Sequence, residues 1–85
     1  MNTSHLVGQS VEIKIESVNT SVSAVILGVE SAGLWIHKGE VIEKIALSQR
    51  AAREGALKEP AVFLPFARIS WMITETKESV YQKAR

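Results

Sequence analysis

The 85-residue chain has no cysteine. Disulfides are thereby excluded, and a zinc site would have to be assembled from His and Glu alone. Aspartate is missing as well: all nine acidic residues are Glu. Sites built on short Asp carboxylates, such as EF-hand loops and many magnesium clamps, are therefore absent. Charge of one sign is also lacking. The formal net charge is +1, so no global field recruits nucleic acid or an anionic membrane. No apolar run approaches the ~18–20 residues of a membrane span. The opening MNTSHLVGQS has neither a basic start nor an apolar stretch, which is not the pattern of a secretory signal. These absences lead us to expect a cytoplasmic, cofactor-free protein with no membrane segment.

What is present suits one folded domain over 1–85. Hydrophobic content of 46% with 22% charged residues is the balance of a globular chain. At this length folding buries only ~60–65% of the unfolded surface, and there are no disulfides to compensate. Burial against sister subunits is the remaining way to gain stability.

Val11-Glu12-Ile13-Lys14-Ile15-Glu16 alternates with period two, the pattern of a half-buried strand. Ser17-Val18-Asn19-Thr20 is a turn. From Ser21 to Val29 the chain is β-rich, with Val22, Ala24 and Ile26 on one face and Val25, Leu27 and Val29 on the other. Gly28 inside that strand predicts a bend or bulge. Glu30-Ser31-Ala32-Gly33 is a tight connection leading into the strand Leu34-Trp35-Ile36-His37.

A structureless stretch from 38 to 60 would be unusual in so small a domain. Val41, Ile42, Ile45, Ala46 and Ala52 share one helical face. Glu40 and Glu43 near one end, with Arg50 and Arg53 near the other, match the helix dipole. Gly55 and Pro60 supply the stop. The spacing predicts a helix over about 40–54, inserted between the third and fourth strands. Ala61-Val62-Phe63-Leu64 and Arg68-Ile69-Ser70-Trp71-Met72-Ile73-Thr74 are two further strands, split by Pro65-Phe66-Ala67. Residues 75–85 are charged, without an apolar stripe, and are expected to form a frayed tail. Barrel strands thus occupy about 9–37 and 61–74. The fold expected is mostly β: a small, five-stranded, bent, partly open barrel with one helix between strands 3 and 4.

Two segments carry a resemblance. Ile26-Leu27-Gly28-Val29-Glu30 followed by Gly33-Leu34-Trp35-Ile36 resembles the first motif of the Sm and Sm-like family. Val62-Phe63-Leu64-Pro65-Phe66-Ala67-Arg68-Ile69-Ser70-Trp71-Met72-Ile73 resembles the second. The likeness covers about 8–37 and 61–74 and suggests a divergent, bacterial-type member with a helical insertion. It implies a homo-oligomeric ring in which the fourth strand of one subunit pairs with the fifth of the next. The interface would then draw on Val62, Leu64, Ile69 and Trp71. It also implies single-stranded RNA as ligand, held at Glu30, Gly33, Pro65 and Phe66. At these positions the eukaryotic and archaeal pattern of the family has Asp and Asn in the first motif and Arg-Gly, or its bacterial counterpart, in the second, so the parts that grip a base differ here.

The remaining candidates favour plain structural roles. His5 and His37 lack any metal-ligand spacing with Glu12 or Glu40 and suit exposed or strand-edge positions. Ser31 has no paired base. Trp71, in phase with Ile69 and Ile73, is expected in the core or an interface. Trp35, out of phase with Leu34 and Ile36, points away from the core and is expected beneath the inserted helix. Lys38, Lys44, Arg50, Arg53 and Lys58 make the insertion basic. Interspersed Glu residues offset them, with Glu40–Lys44 and Arg50–Glu54 at helix-pair spacing. The reading is a non-catalytic binding or scaffold module. The alternative is a protein-interaction module, or a subunit of a larger assembly, without nucleic acid.

Overall fold

The computed structural model describes residues 4–55 and 57–75. Strands β1 (Ser10–Ile15), β2 (Val22–Glu30) and β3 (Gly33–His37) are followed by two short helices, α1 (Glu40–Lys44) and α2 (Arg50–Arg53). Strands β4 (Val62–Pro65) and β5 (Ile69–Thr74) complete the element order. All strand pairs are antiparallel, in one sheet of order β4-β3-β2-β1-β5. The mostly β architecture with a helical insertion after the third strand is as the sequence implied. The sheet does not close into a barrel: β4 and β5 stand at its two opposite edges.

Period-two patterning places Val11, Ile13 and Ile15 of β1 in the core beside Val22, Ala24 and Ile26 of β2. Leu34 and Ile36 of β3, Leu64 of β4 and Val41 of α1 complete it. Two extra residues break that phase. Between Ile26–Ile36 and Gly28–Trp35 the register shifts, which leaves Leu27 unpaired and 49% exposed. Gly28 thus marks the bulge that its position suggested, and beyond it Val29 turns inward against the core. This corrects the assignment of Val29 to the face of Val25. On β5, Ile15 pairs with Ile69 while Lys14 pairs with Trp71, so Ser70 is the extra residue. Ile69 faces the core, whereas Trp71 and Ile73 face outward, 45% and 60% exposed. The single shared face expected for these three residues is corrected by that bulge, because one added residue reverses every side chain after it.

The insertion is helical but not one helix. The ladder breaks at Ile45 (φ −119°), passes through a 3₁₀ turn at Ala46–Ser48 and becomes extended at Gln49 (φ −87°, ψ 140°). The Ser48 hydroxyl donates to the Ile45 carbonyl, the local competition with the backbone through which Ser interrupts helices. Of the expected apolar face, Val41 and Ala46 are buried and Ile42 and Ile45 half-buried. The side chain of Ala52 lies outside those described. Both predicted ion pairs form, Glu40–Lys44 at 3.2 Å and Arg50–Glu54 at 3.0 Å. Residues 76–85 of the expected tail, Tyr81 among them, lie outside the described residues.

The insertion is anchored where β2 outruns β3. Glu40 donates its backbone N–H to the Ser23 hydroxyl at 3.0 Å, and its carboxylate accepts the Ser23 N–H at 3.3 Å. The approach is so close that a Cβ on Gly39 (φ +67°) would lie 2.7 Å from the Ser23 carbonyl oxygen. Only glycine fits that turn.

Candidate functional site

The four residues at the positions implied to hold RNA do converge. Glu30 pairs with Gly33 across the β2–β3 turn, and Gly33 pairs with Pro65 across β3–β4. The Phe66 N–H donates to the Ala32 carbonyl at 2.9 Å. Because bonded and non-bonded pairs alternate in antiparallel ladders, this bond makes Gly33–Pro65 a non-bonded, closer pair. The missing N–H of Pro65 therefore costs no ladder bond to β3. A Cβ at Gly33 would lie 2.3 Å from the Leu64 carbonyl oxygen and 2.8 Å from the Pro65 Cα. The glycine is needed for β4 to approach.

The chemistry of this corner is anionic and apolar. None of the four side chains carries a hydrogen-bond donor. The Glu30 carboxylate accepts a hydrogen bond from the Trp35 indole N–H, which directs the ring along the outer face. Trp35 then packs on Phe63, with centroids 5.1 Å apart and planes tilted by 55°. Trp35 is 38% exposed. The expectation that it lies beneath the inserted helix is thereby corrected. Its cross-strand partner on β4 is Phe63, and the helix docks at the other end of β3, on Ser23. Phe66 is exposed at the same corner, following Pro65.

The residues assigned to a subunit interface divide. Leu64 is a core residue, and Val62 and Ile69 are half-buried against the core. Their side chains are committed within the subunit, so at these positions a neighbour would meet backbone. Trp71 is exposed on the outer face.

Sequence reasoning did not single out an open cleft of about 420 Å³ between β3, α1 and the segment before β4. It is lined by His37, Lys38, Ile42, Glu59 and Pro60. Lys38 adopts φ +58° there, an uncommon conformation for a residue with a side chain. The only signal in the sequence is a Lys-Gly pair at the end of a strand. Of the two histidines, His37 lies in this cleft and His5 in the 3₁₀ turn before β1. Among the described residues, no three His, Cys, Asp or Glu side chains group to hold a metal ion. Nor is any described helix long and apolar enough to cross a membrane.

Compared with protein-family models, with curated proteins and with solved structures, the chain finds no match in any of the three.

Proposed function

We propose that the chain is a non-catalytic, Sm-like cytoplasmic module that assembles edge to edge into a homo-oligomeric ring and serves as a binding or scaffold platform. The observation that carries this reading is the strand order β4-β3-β2-β1-β5. It leaves free the two strands that the sequence resemblance implies are paired between subunits. Neither edge strand, VFLP or ISWMIT, contains a charged residue, although charge is a common device by which proteins protect open edges. Size adds to the argument, since a cysteine-free domain of this length gains from burying more surface.

RNA is a secondary ligand in this proposal. The Glu30–Gly33–Pro65–Phe66 corner supplies a carboxylate, which repels phosphate, and apolar surface, which offers it no side-chain donor. Binding would then rest on scattered Lys and Arg. The second reading, a protein-interaction module, draws on the exposed Trp35, Phe66 and Trp71. Native mass measurement before and after nuclease treatment tests the two together. A multiple of the 9.3 kDa chain that survives nuclease supports the ring. A mass at the single chain refutes it.

A further inference from the structure

The Trp35 indole is held from both neighbouring strands. Its edge passes over Gly28 of β2, where an added Cβ would meet the Trp35 Cδ1 at 4.0 Å. Its N–H donates to the Glu30 carboxylate, and Phe63 of β4 packs on it at 5.1 Å with the planes tilted by 55°. That tilt is not face-to-face stacking, and Trp35 stays 38% exposed. The indole N–H occupies one oxygen of Glu30, Oε2, and leaves Oε1. Among the described residues no cation pairs with Glu30; Arg68, two residues past Phe66, makes no ion pair with it. An oriented indole thus stands beside an unanswered carboxylate.

We propose that this corner binds the guanidinium group of an arginine side chain on a partner polypeptide, stacked on the indole and donating to Glu30 Oε1. Charge complementarity selects that class of occupant. An anionic partner is repelled by the carboxylate, and a purely apolar one would cover the carboxylate without pairing it. A cation is drawn by both groups at once. Tryptophan is the strongest ring for cation–π attraction, and its hydrogen bond to a carboxylate polarises the ring further in that sense. Guanidinium suits the corner better than ammonium, because its plane can lie on the ring while its edge N–H groups reach an adjacent carboxylate oxygen. Leu27, left unpaired by the bulge, and Phe66 at the turn add exposed apolar surface for the residues that flank the arginine. This gives the platform proposed above a partner chemistry, and it stands on the corner alone, whether or not subunits join.

Trp71 supplies an internal control: it is 45% exposed, but its cross-strand partner is the cation Lys14. The proton–nitrogen resonances of the two indole N–H groups are followed by NMR as acetyl-Gly-Arg-Gly-amide is added to the full chain. A matched peptide carries citrulline, which keeps the shape of arginine without its charge. The inference predicts that the Trp35 resonance moves and saturates while that of Trp71 stays, and that the citrulline peptide moves neither. Glu30→Gln keeps an acceptor for the indole N–H and removes the charge, so it should weaken arginine binding by roughly tenfold. Equal movement of both indoles, equal binding of citrulline, or an unchanged affinity in Glu30→Gln would overturn the inference. So would no movement at millimolar peptide. Oligo-uridine that moves the Trp35 resonance where the arginine peptide does not would give the corner to a nucleic-acid base instead. None of these results bears on assembly, which the native mass decides separately.

Discussion

Replacing Gly33 by alanine adds one methyl group where the structure has no room for it. The new carbon would sit 2.3 Å from the Leu64 carbonyl oxygen, 2.8 Å from the Pro65 Cα and 2.9 Å from the Leu64 carbonyl carbon. All three atoms are backbone, so no side chain can rotate away, and β4 must move by close to an ångström. Overpacking of this kind costs about 1–3 kcal/mol. Moving β4 also draws Leu64, which is 5% exposed, part-way out of a core site worth about 1.5–3 kcal/mol when fully buried. Against these, alanine lowers the entropy of the unfolded chain by about 0.4–1 kcal/mol. The net loss is about 2 kcal/mol, a fall in Tm of roughly 10 °C for a domain of this size. Urea and thermal unfolding followed by tryptophan fluorescence, at fixed protomer concentration, measure it. The control is Gly28→Ala, whose Cβ would meet only the Trp35 Cδ1 at 4.0 Å. If Gly33→Ala is no less stable than Gly28→Ala, the close approach of β4 to β3 is wrong, and Gly33 is free for a binding role.

Val41→Ala, in the one fully buried side chain of α1, should cost about 2 kcal/mol from lost methyls and the cavity they leave. A loss no larger than that of the exposed Glu43→Ala would mean that the insertion is not docked on the sheet. The hydrogen bond and charge of Lys44, and then the Ser23 N–H, hold Glu40 below its ordinary value of 4.5. A carboxylate with a lowered folded-state pKa contributes its stability above the unfolded value and loses it as pH falls through the folded one. Glu40→Gln should therefore flatten part of the stability decline below about pH 4.5. An unchanged acid limb would mean that neither Lys44 nor the Ser23 N–H holds the Glu40 carboxylate, and would leave only the Glu40 N–H bond to the Ser23 hydroxyl as anchor. Oligo-uridine and oligo-adenine should bind weakly and alike, log K falling by about 0.7 per phosphate neutralised for each log unit of salt. Submicromolar affinity for one base at physiological salt would reveal a pocket that the Glu30–Pro65 corner does not supply.

The parts of the molecule that follow from period two were legible in the sequence. The β1 alternation, the 30–33 turn and the five-strand count all stand. What escaped were the places where one residue is added. No residue type announces Ser70 as a bulge, yet it turns Trp71 and Ile73 away from Ile69 and moves them from the core to the surface. Gly28 did announce its bulge, but not that Val29 would then face inward. The inserted helix was read from an apolar stripe that treats residues 40–54 as continuous. The Ser48 hydroxyl on the Ile45 carbonyl and the extended Gln49 are local backbone choices to which such a stripe is blind. At the candidate corner, convergence of Glu30, Gly33, Pro65 and Phe66 was implied by the resemblance. That Gly33 is required by packing, and that Glu30 holds Trp35, depend on atoms brought together from three strands, which spacing along the chain does not encode.

Native mass spectrometry of the nuclease-treated protein decides whether the chain self-assembles through its two free sheet edges. A ring gives one closed oligomer, an integral multiple of 9.3 kDa, free of nucleic acid and stable on dilution to micromolar concentration. A single species at 9.3 kDa, or an assembly that falls apart when nuclease removes bound RNA, would contradict it.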